Sequence, residues 1–177
     1  ELTIVEGQLS ELTGRTARLA AERDGTDLAF PAEILTLAET SEEVAAQLDG
    51  QRRLFQARAA TLAEQRELLA RRIDQITAQS NGIAAQSAAL TRQLALIEQE
   101  LASQQSLLDK GLAQAGAVLA LQREQARLDG QIGELQADLA RTEGQVTEIE
   151  IQISSLDTER REEATTELRQ VGPMLLE

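Results

Sequence analysis

Apolar residues recur at every seventh position through the middle of the chain, and the first line of this repeat is unbroken. Its members are Leu48, Phe55, Leu62, Leu69, Ile76, Ile83, Leu90 and Ile97. Such a repeat indicates a coiled coil. The segment from Ser41 to Lys110 has no proline and only two glycines, Gly50 and Gly82. It therefore predicts one helix of about 70 residues, roughly 105 Å long at 1.5 Å rise per residue.

A second line of the repeat lies four residues further on and is polar in its middle. Arg66, Ser80 and Ser87 interrupt it before it ends in Leu94, Leu101 and Leu108. Polar residues at such positions cost stability, and their usual role is to fix the register of a coiled coil. We expect Gln125 and Thr142 to have the same role in the last part of the chain.

The last part of the chain shows the same period. Its expected seam residues are Leu121, Leu128, Ile132, Leu135, Leu139, Val146, Ile149, Ile153 and Leu156. Gly111 and Gly116 lie between the two repeats and mark a turn. Two heptad helices joined by a short turn predict an antiparallel hairpin. We assign residues 41–172 to it, with one helix at 41–110, a tip turn at 111–116 and another helix at 117–172.

The residues before the hairpin predict a shorter helix and a linker. Residues 1–25 form the first helix, packed at the base of the hairpin, and Gly25 suits a left-handed cap at its end. Its expected apolar side is Leu2, Val5, Leu9, Leu12 and Leu19, and Glu11 and Arg15 have the spacing of a surface ion pair. Residues 26–40 form the linker, where Pro31 can start a short helix and Phe30 packs onto the hairpin. Thr40 and Glu43 predict a capping box at the start of the long helix.

The composition supports an all-α fold and argues against an enzyme. The chain has 177 residues, two phenylalanines and no tryptophan, tyrosine, histidine or cysteine. The histidine and cysteine pairs of nucleophilic catalysis and nearly all zinc sites are therefore excluded. The glycines of the sequence GQIGEL, which starts at Gly130, lie inside a predicted helix and not in a phosphate loop. We expect no catalytic, cofactor-binding or metal-binding residues.

The charge of the chain indicates which partners it avoids. The net charge is −13, so nucleic acid and anionic membrane surfaces should repel it. No stretch approaches 18 consecutive apolar residues, and the first residues do not resemble a signal peptide. Because the chain begins inside a heptad pattern and without methionine, we interpret it as an internal piece of a longer protein.

Seven short motifs, taken in order, resemble the HlyD-type membrane-fusion proteins, which are the periplasmic adaptors of type I secretion systems. The motifs are AERDG, LAFPAEI, QRRLFQAR, LIEQEL, LLDKGL, LALQREQARLDGQIGEL and TELRQV. The resemblance implies an adaptor anchored in the inner membrane of a Gram-negative bacterium by parts outside this piece. Its implied partners are an ABC transporter, a TolC-like outer-membrane channel, the secreted protein cargo and other copies of itself in a hexamer.

The resemblance assigns channel docking to the tip. The candidate docking residues are Leu107, Leu108, Lys110, Gly111, Leu112, Ala113 and Gln114. Leu108 also belongs to the seam, so Leu112 and Gln114 are the better candidates for a direct contact. Adaptors of the drug-efflux type often carry an Arg, Leu, Ser pattern here, of which only Leu107 matches. This departure favours protein secretion over drug efflux, and a structural coiled-coil scaffold without a transport role stays an alternative.

Overall fold

The fold is all-α, with a long helical hairpin and a short helix packed at its base, as predicted. The computed structural model describes the backbone of residues 2–175 and the side chains of residues 7–173, and contains no strand in that range. The helices are α1 (Leu2–Asp24), α2 (Ala32–Thr40), α3 (Glu42–Asp109) and α4 (Ala115–Val171), followed by a 3₁₀ turn (Gly172–Leu175).

The chain divides into two compact units. One comprises Glu1–Leu69 and Ile151–Glu177 and is called the terminal unit here. It contains α1, α2, the first part of α3 and the last part of α4. The other comprises Ala70–Glu150 and is called the turn unit, because it contains the connection between α3 and α4.

The end of α1 agrees with the prediction, and so do Leu12 and Leu19 of its apolar side, but Leu9 does not. Gly25 has a φ of 68°, and the amide of Thr26 donates to the carbonyl of Ala21 over 3.1 Å, which confirms the left-handed cap. Leu9 was expected in the apolar side but is 53% exposed, while the side chains of Leu2 and Val5 lie outside the described residues. Besides Leu19, the buried residues of α1 are Ser10, Gly14, Arg18, Ala21 and Glu22.

The linker packs onto the start of α3. Helix α2 begins directly after Pro31, whose ψ of 146° belongs to extended backbone. Phe30 packs against the apolar cluster of Ile34, Val44 and Leu48, so its predicted packing role is confirmed. The guanidinium carbon of Arg52 lies 5.6 Å from the centre of the Phe30 ring, in the range of a cation–π contact.

The long helix starts one residue later than the capping-box pattern predicted. The amide of Val44 donates to the Ser41 hydroxyl over 3.4 Å, which makes Ser41 the N-terminal cap. Thr40 still belongs to α2, where its hydroxyl donates to the carbonyl of Leu37. The Thr40 cap was therefore a wrong prediction, because the short helix before it extends far enough to occupy that residue.

Half-buried side chains follow the heptad positions along both long helices. All predicted seam residues are buried or half-buried, and the deepest are Leu48, Leu128 and Ile149. In the terminal unit the polar seam residue Arg66 forms an ion pair with Asp157. In the turn unit Gln125 donates to Glu98 over 3.5 Å, and the hydroxyl of buried Thr142 donates to the Leu139 carbonyl. These polar seam residues therefore have hydrogen-bond partners.

Candidate docking turn and the charged seat of the first helix

The connection between α3 and α4 is a tight turn that begins with a left-handed glycine cap on α3. Gly111 has a φ of 73°, and its amide donates to the carbonyl of Leu108 over 2.8 Å. The amide of Leu112 donates to the carbonyl of Leu107, also over 2.8 Å. This pair of hydrogen bonds is a Schellman motif, which satisfies the last carbonyls of a helix. Glycine is required at this position because a side chain would strain the left-handed backbone.

Helix α4 begins earlier than the sequence predicted. The carbonyl of Gln114 accepts from the amide of Ala117 over 3.0 Å, and the helix starts at Ala115. Gly116 therefore lies in the first helical turn and not in the connection, which leaves only residues 110–114 between the helices. The short connection reduces the number of backbone groups that need partners outside the helices.

The turn presents apolar side chains to solvent. Leu112 is 73% exposed and Leu107 is 38% exposed, whereas Leu108 and Ala113 are half-buried. Lys110, Gly111 and Gln114 are exposed. The turn therefore combines an exposed leucine with a cation, an amide side chain and free backbone groups. Such a surface can bind a partner through apolar contact and hydrogen bonds.

The described part of the chain contains no candidate metal site. Residues 7–173 contain no group of three or more acidic, histidine or cysteine side chains placed to hold a metal ion. The only acidic residue next to the turn is Asp109, whose carboxylate accepts from the side chain of Gln105 over 3.0 Å. The turn can therefore act by contact but offers no paired groups for proton transfer.

The terminal unit contains a buried cluster of charges that the sequence did not predict. Arg18 and Glu22 of α1 are each 2% exposed. The Arg18 guanidinium donates to Glu22 and to Gln51 of α3, both over 2.7 Å. The other oxygen of Glu22 accepts from Arg58 of α3 over 3.2 Å. Arg58 also lies 3.6 Å from Glu167 of α4, which in turn lies 3.9 Å from Arg18.

These four side chains form a closed ring of alternating charge, called the charge ring here. It comprises Arg18, Glu22, Arg58 and Glu167, and it links α1 to both long helices. Arg15 adds a further contact, donating to Glu167 over 2.9 Å instead of pairing with Glu11 as expected. Partial burial tends to raise the pKa of Glu167, but the hydrogen bond from Arg15 and the charges of Arg58 and Arg18 outweigh it and hold that pKa below its usual range.

A close contact beside the charge ring also positions α1. Gly14 is buried, and a β-carbon built on it would lie 3.1 Å from a methyl group of Leu48. A larger residue here would require Leu48 to move by a few tenths of an ångström. The spacing of Arg18 and Glu22 on the inner side of α1 was the one available signal of the charge ring. It does not identify partners that lie far away in the sequence.

Comparison with known proteins identifies this arrangement. A family model described as "AprE, long alpha-helical hairpin" matches residues 1–177. The chain belongs to the AprE-type long helical hairpin family. A curated relative, the type I secretion system membrane fusion protein PrsE of Rhizobium meliloti (strain 1021), is 34% identical over 176 residues. The match covers 99% of this chain and 40% of PrsE, so this hairpin spans less than half of that relative.

A solved structure has the same fold as this AprE-type hairpin. The soluble domain of LipC, a membrane fusion protein of a type I secretion system, superposes with a TM-score of 0.90 and 22% sequence identity. The match covers 96% of this chain and 80% of the LipC chain. In the part of the hairpin that the structure describes, no helix has the combined length and apolarity needed to cross a membrane.

Proposed function

We propose that this hairpin belongs to a periplasmic adaptor that connects an inner-membrane ABC transporter to a TolC-like outer-membrane channel for type I protein secretion. The observation that carries the proposal is the 34% identity to PrsE over 99% of the chain. The shared fold of the LipC soluble domain supports it. The membrane anchor and the transporter contacts belong to parts of the protein outside this hairpin.

The turn between α3 and α4 is the proposed docking surface for the channel. Its most exposed apolar side chain is Leu112, and Gln114 lies beside it with free polar groups. An exposed leucine contributes little to the folding of its own chain, because it buries little surface there. The free energy of burying the Leu112 side chain is therefore available for binding a partner. In this proposal the cargo passes through an assembly of about six adaptor copies, the stoichiometry that the resemblance implies.

The test is the Leu112→Asp substitution in the full-length adaptor, in cells that secrete the cargo. Folding should be nearly unchanged, because exposed turn residues lose little packing on substitution. Secretion and crosslinking between the turn and the channel should collapse. The matched control is Leu96→Asp, which changes a leucine of the same turn unit that is 65% exposed. Normal secretion by Leu112→Asp at normal adaptor levels would refute the docking role.

Deletion of the gene separates this proposal from its alternatives. A structural scaffold without a transport role would leave secretion unaffected when the whole gene is deleted. A drug-efflux adaptor would instead show lost resistance to small toxic compounds with protein secretion intact. The weak match of the turn to the efflux pattern, where only Leu107 agrees, supports the secretion assignment.

A further inference from the structure

An apolar cleft opens on the surface of the terminal unit between α1 and α2. Its volume is about 170 Å³, and its apolar lining comes from Leu9, Pro31, Ile34 and Leu37. Ile34 is buried, but Leu9 and Leu37 are 53% and 36% exposed. Because apolar surface contributes free energy when it leaves water, a partner that covers this cleft gains binding energy there.

The chain on the α2 side of the cleft carries only negative charge. Between Arg23 and Arg52 the sequence has no basic residue and seven carboxylates, at Asp24, Asp27, Glu33, Glu39, Glu42, Glu43 and Asp49. Glu33 lines the cleft, and both Glu33 and Glu39 of α2 are exposed without an ion-pair partner among residues 7–173. This surface, called the acidic cleft here, therefore favours a cationic partner that also offers apolar groups.

The terminal unit presents a surface of that kind on α4. It is a shallow groove, called the cationic face here, lined by Thr158, Arg161, Glu162, Thr165, Thr166 and Arg169. Both arginines are exposed, and neither has an ion-pair partner within the described part of the chain. The threonine methyl groups supply apolar surface beside the two charges. The cationic face therefore complements the acidic cleft in charge and in apolar character.

The two surfaces lie on different sides of the terminal unit. The acidic cleft lies where α2 packs onto α1 and α3. The inner side of α4, with Ala164 and Val171, packs against Leu19 of α1. At 100° per residue the cationic face is turned by about 120° from that inner side. One copy can therefore offer its cleft to one neighbour and its cationic face to another, the heterologous arrangement that closes into rings.

We propose that the acidic cleft of one adaptor copy binds the cationic face of α4 in the next copy. The inference rests on the proposed function, which includes an assembly of several copies, and it names the surfaces that meet. In this contact Leu9 and Leu37 pack on the threonine methyl groups. The two carboxylates of α2 oppose Arg161 and Arg169.

The first test maps what touches the cleft in the full-length adaptor, in cells that secrete the cargo. Leu37 is replaced by the photocrosslinking residue p-benzoylphenylalanine, and crosslinked peptides are identified by mass spectrometry after illumination. We expect crosslinks between two adaptor copies that map to residues 158–169 of the second copy. Crosslinks to another segment of the adaptor, to the transporter or to the channel would overturn the proposal, as would the absence of any crosslink.

The second test reverses the charges of the contact. Arg161→Glu with Arg169→Glu sets like charges against α2 and should lower the copy-to-copy crosslinking from residue 37 by about tenfold. Adding Glu33→Arg and Glu39→Arg reverses the other side as well and should restore the yield, which a misfolded α4 could not do. An unchanged yield in the first variant, or no recovery in the second, would refute the contact.

A matched control changes two exposed arginines of the turn unit. Arg92→Glu with Arg123→Glu should leave the crosslink yield as it is in the parent. Deletion of the gene separates this contact from the proposed function. Secretion that continues after deletion refutes the adaptor role and leaves the crosslink map unaffected. Secretion that stops after deletion, together with a crosslink map that misses the cationic face, refutes the contact alone.

Discussion

Both carboxylate oxygens of Glu22 are used, one by Arg18 a turn earlier in α1 and the other by Arg58 of α3. Glu167 is shared in the same way between Arg58 and the two arginines of α1. Each of these two carboxylates therefore connects at least two helices. This sharing makes the attachment of α1 sensitive to single substitutions that remove only one side chain.

The first prediction concerns the removal of one side chain from the charge ring. Arg58→Ala should destabilise the docking of α1 by about 2 kcal/mol, the typical loss for a hydrogen bond to a charged group. Amide exchange in α1 should accelerate, while exchange in the turn unit stays as it was. The matched control is Arg53→Ala, which removes only an exposed pair with Asp49 and should cost less than about 0.5 kcal/mol. Equal effects of the two substitutions would contradict the importance of the ring.

The second prediction contrasts a buried glycine, Gly14, with an exposed one, Gly133. Gly14→Ala should destabilise the chain by up to about 1 kcal/mol, because crowding Leu48 at 3.1 Å costs more than the better helix propensity of alanine contributes. Gly133→Ala should stabilise it by up to about 1 kcal/mol, because Gly133 has no neighbour within 4 Å and alanine is the better helix former. Chemical denaturation of both variants tests the contrast, which would fail if both changed stability in the same direction.

The third prediction concerns pH. The pKa of Glu167 is lower in the folded chain than its ordinary value of about 4.3, so its contribution to stability is fully present above that pH. The contribution is lost as the pH falls through the lowered pKa. The stability difference between the parent and Glu167→Gln should therefore be largest near neutral pH and shrink below about pH 4. Urea unfolding at several pH values measures this stability difference. A difference that does not change with pH would contradict the lowered pKa of Glu167.

The fourth prediction tests which residue caps α3. Ser41→Ala should cost about 1 kcal/mol, because it removes the hydroxyl that accepts from the Val44 amide. Thr40→Ala should leave that cap intact, since its hydroxyl bonds only within α2. Thermal melts of the two variants distinguish the assignments. A larger loss of thermal stability for Thr40→Ala would instead support Thr40 as the cap of α3, as the capping-box pattern predicted.

The sequence predicted the long helices well because their signal is local and periodic. The line from Leu48 to Ile97 encodes both a helix and the side that it buries. Gly25 likewise predicted a left-handed cap, since few other residues adopt that conformation at low cost, and Gly111 predicted a turn. The length of the interhelical turn was overestimated because Gly116 resembles a turn residue, although a glycine is also tolerated in the first turn of a helix.

The charge ring was missed for a physical reason. Glu22 pairs with Arg58, which lies 36 residues further along the chain, and Arg18 pairs with Glu167, and nothing in the sequence of α1 specifies these partners. Charged residues are usually solvated, so the pattern favoured Leu9 as the buried residue. The docking role of Leu112 and Gln114 stays a prediction, because exposure shows where a partner could bind and not which partner does so.

Ser41 ends α2 and begins α3, since its amide donates to Leu37 and its carbonyl accepts from Ala45. Ser41 is therefore the C-terminal cap of α2 and the N-terminal cap of α3, and no other residue lies between the two helices. A residue inserted at this point would change the orientation of α2 relative to α3, because the extended backbone of Ser41 alone joins them. Ile34 would then turn away from Val44 and Leu48, its partners in the apolar cluster. We expect relatives to vary freely in the loop before Phe30 but to keep this junction at fixed length.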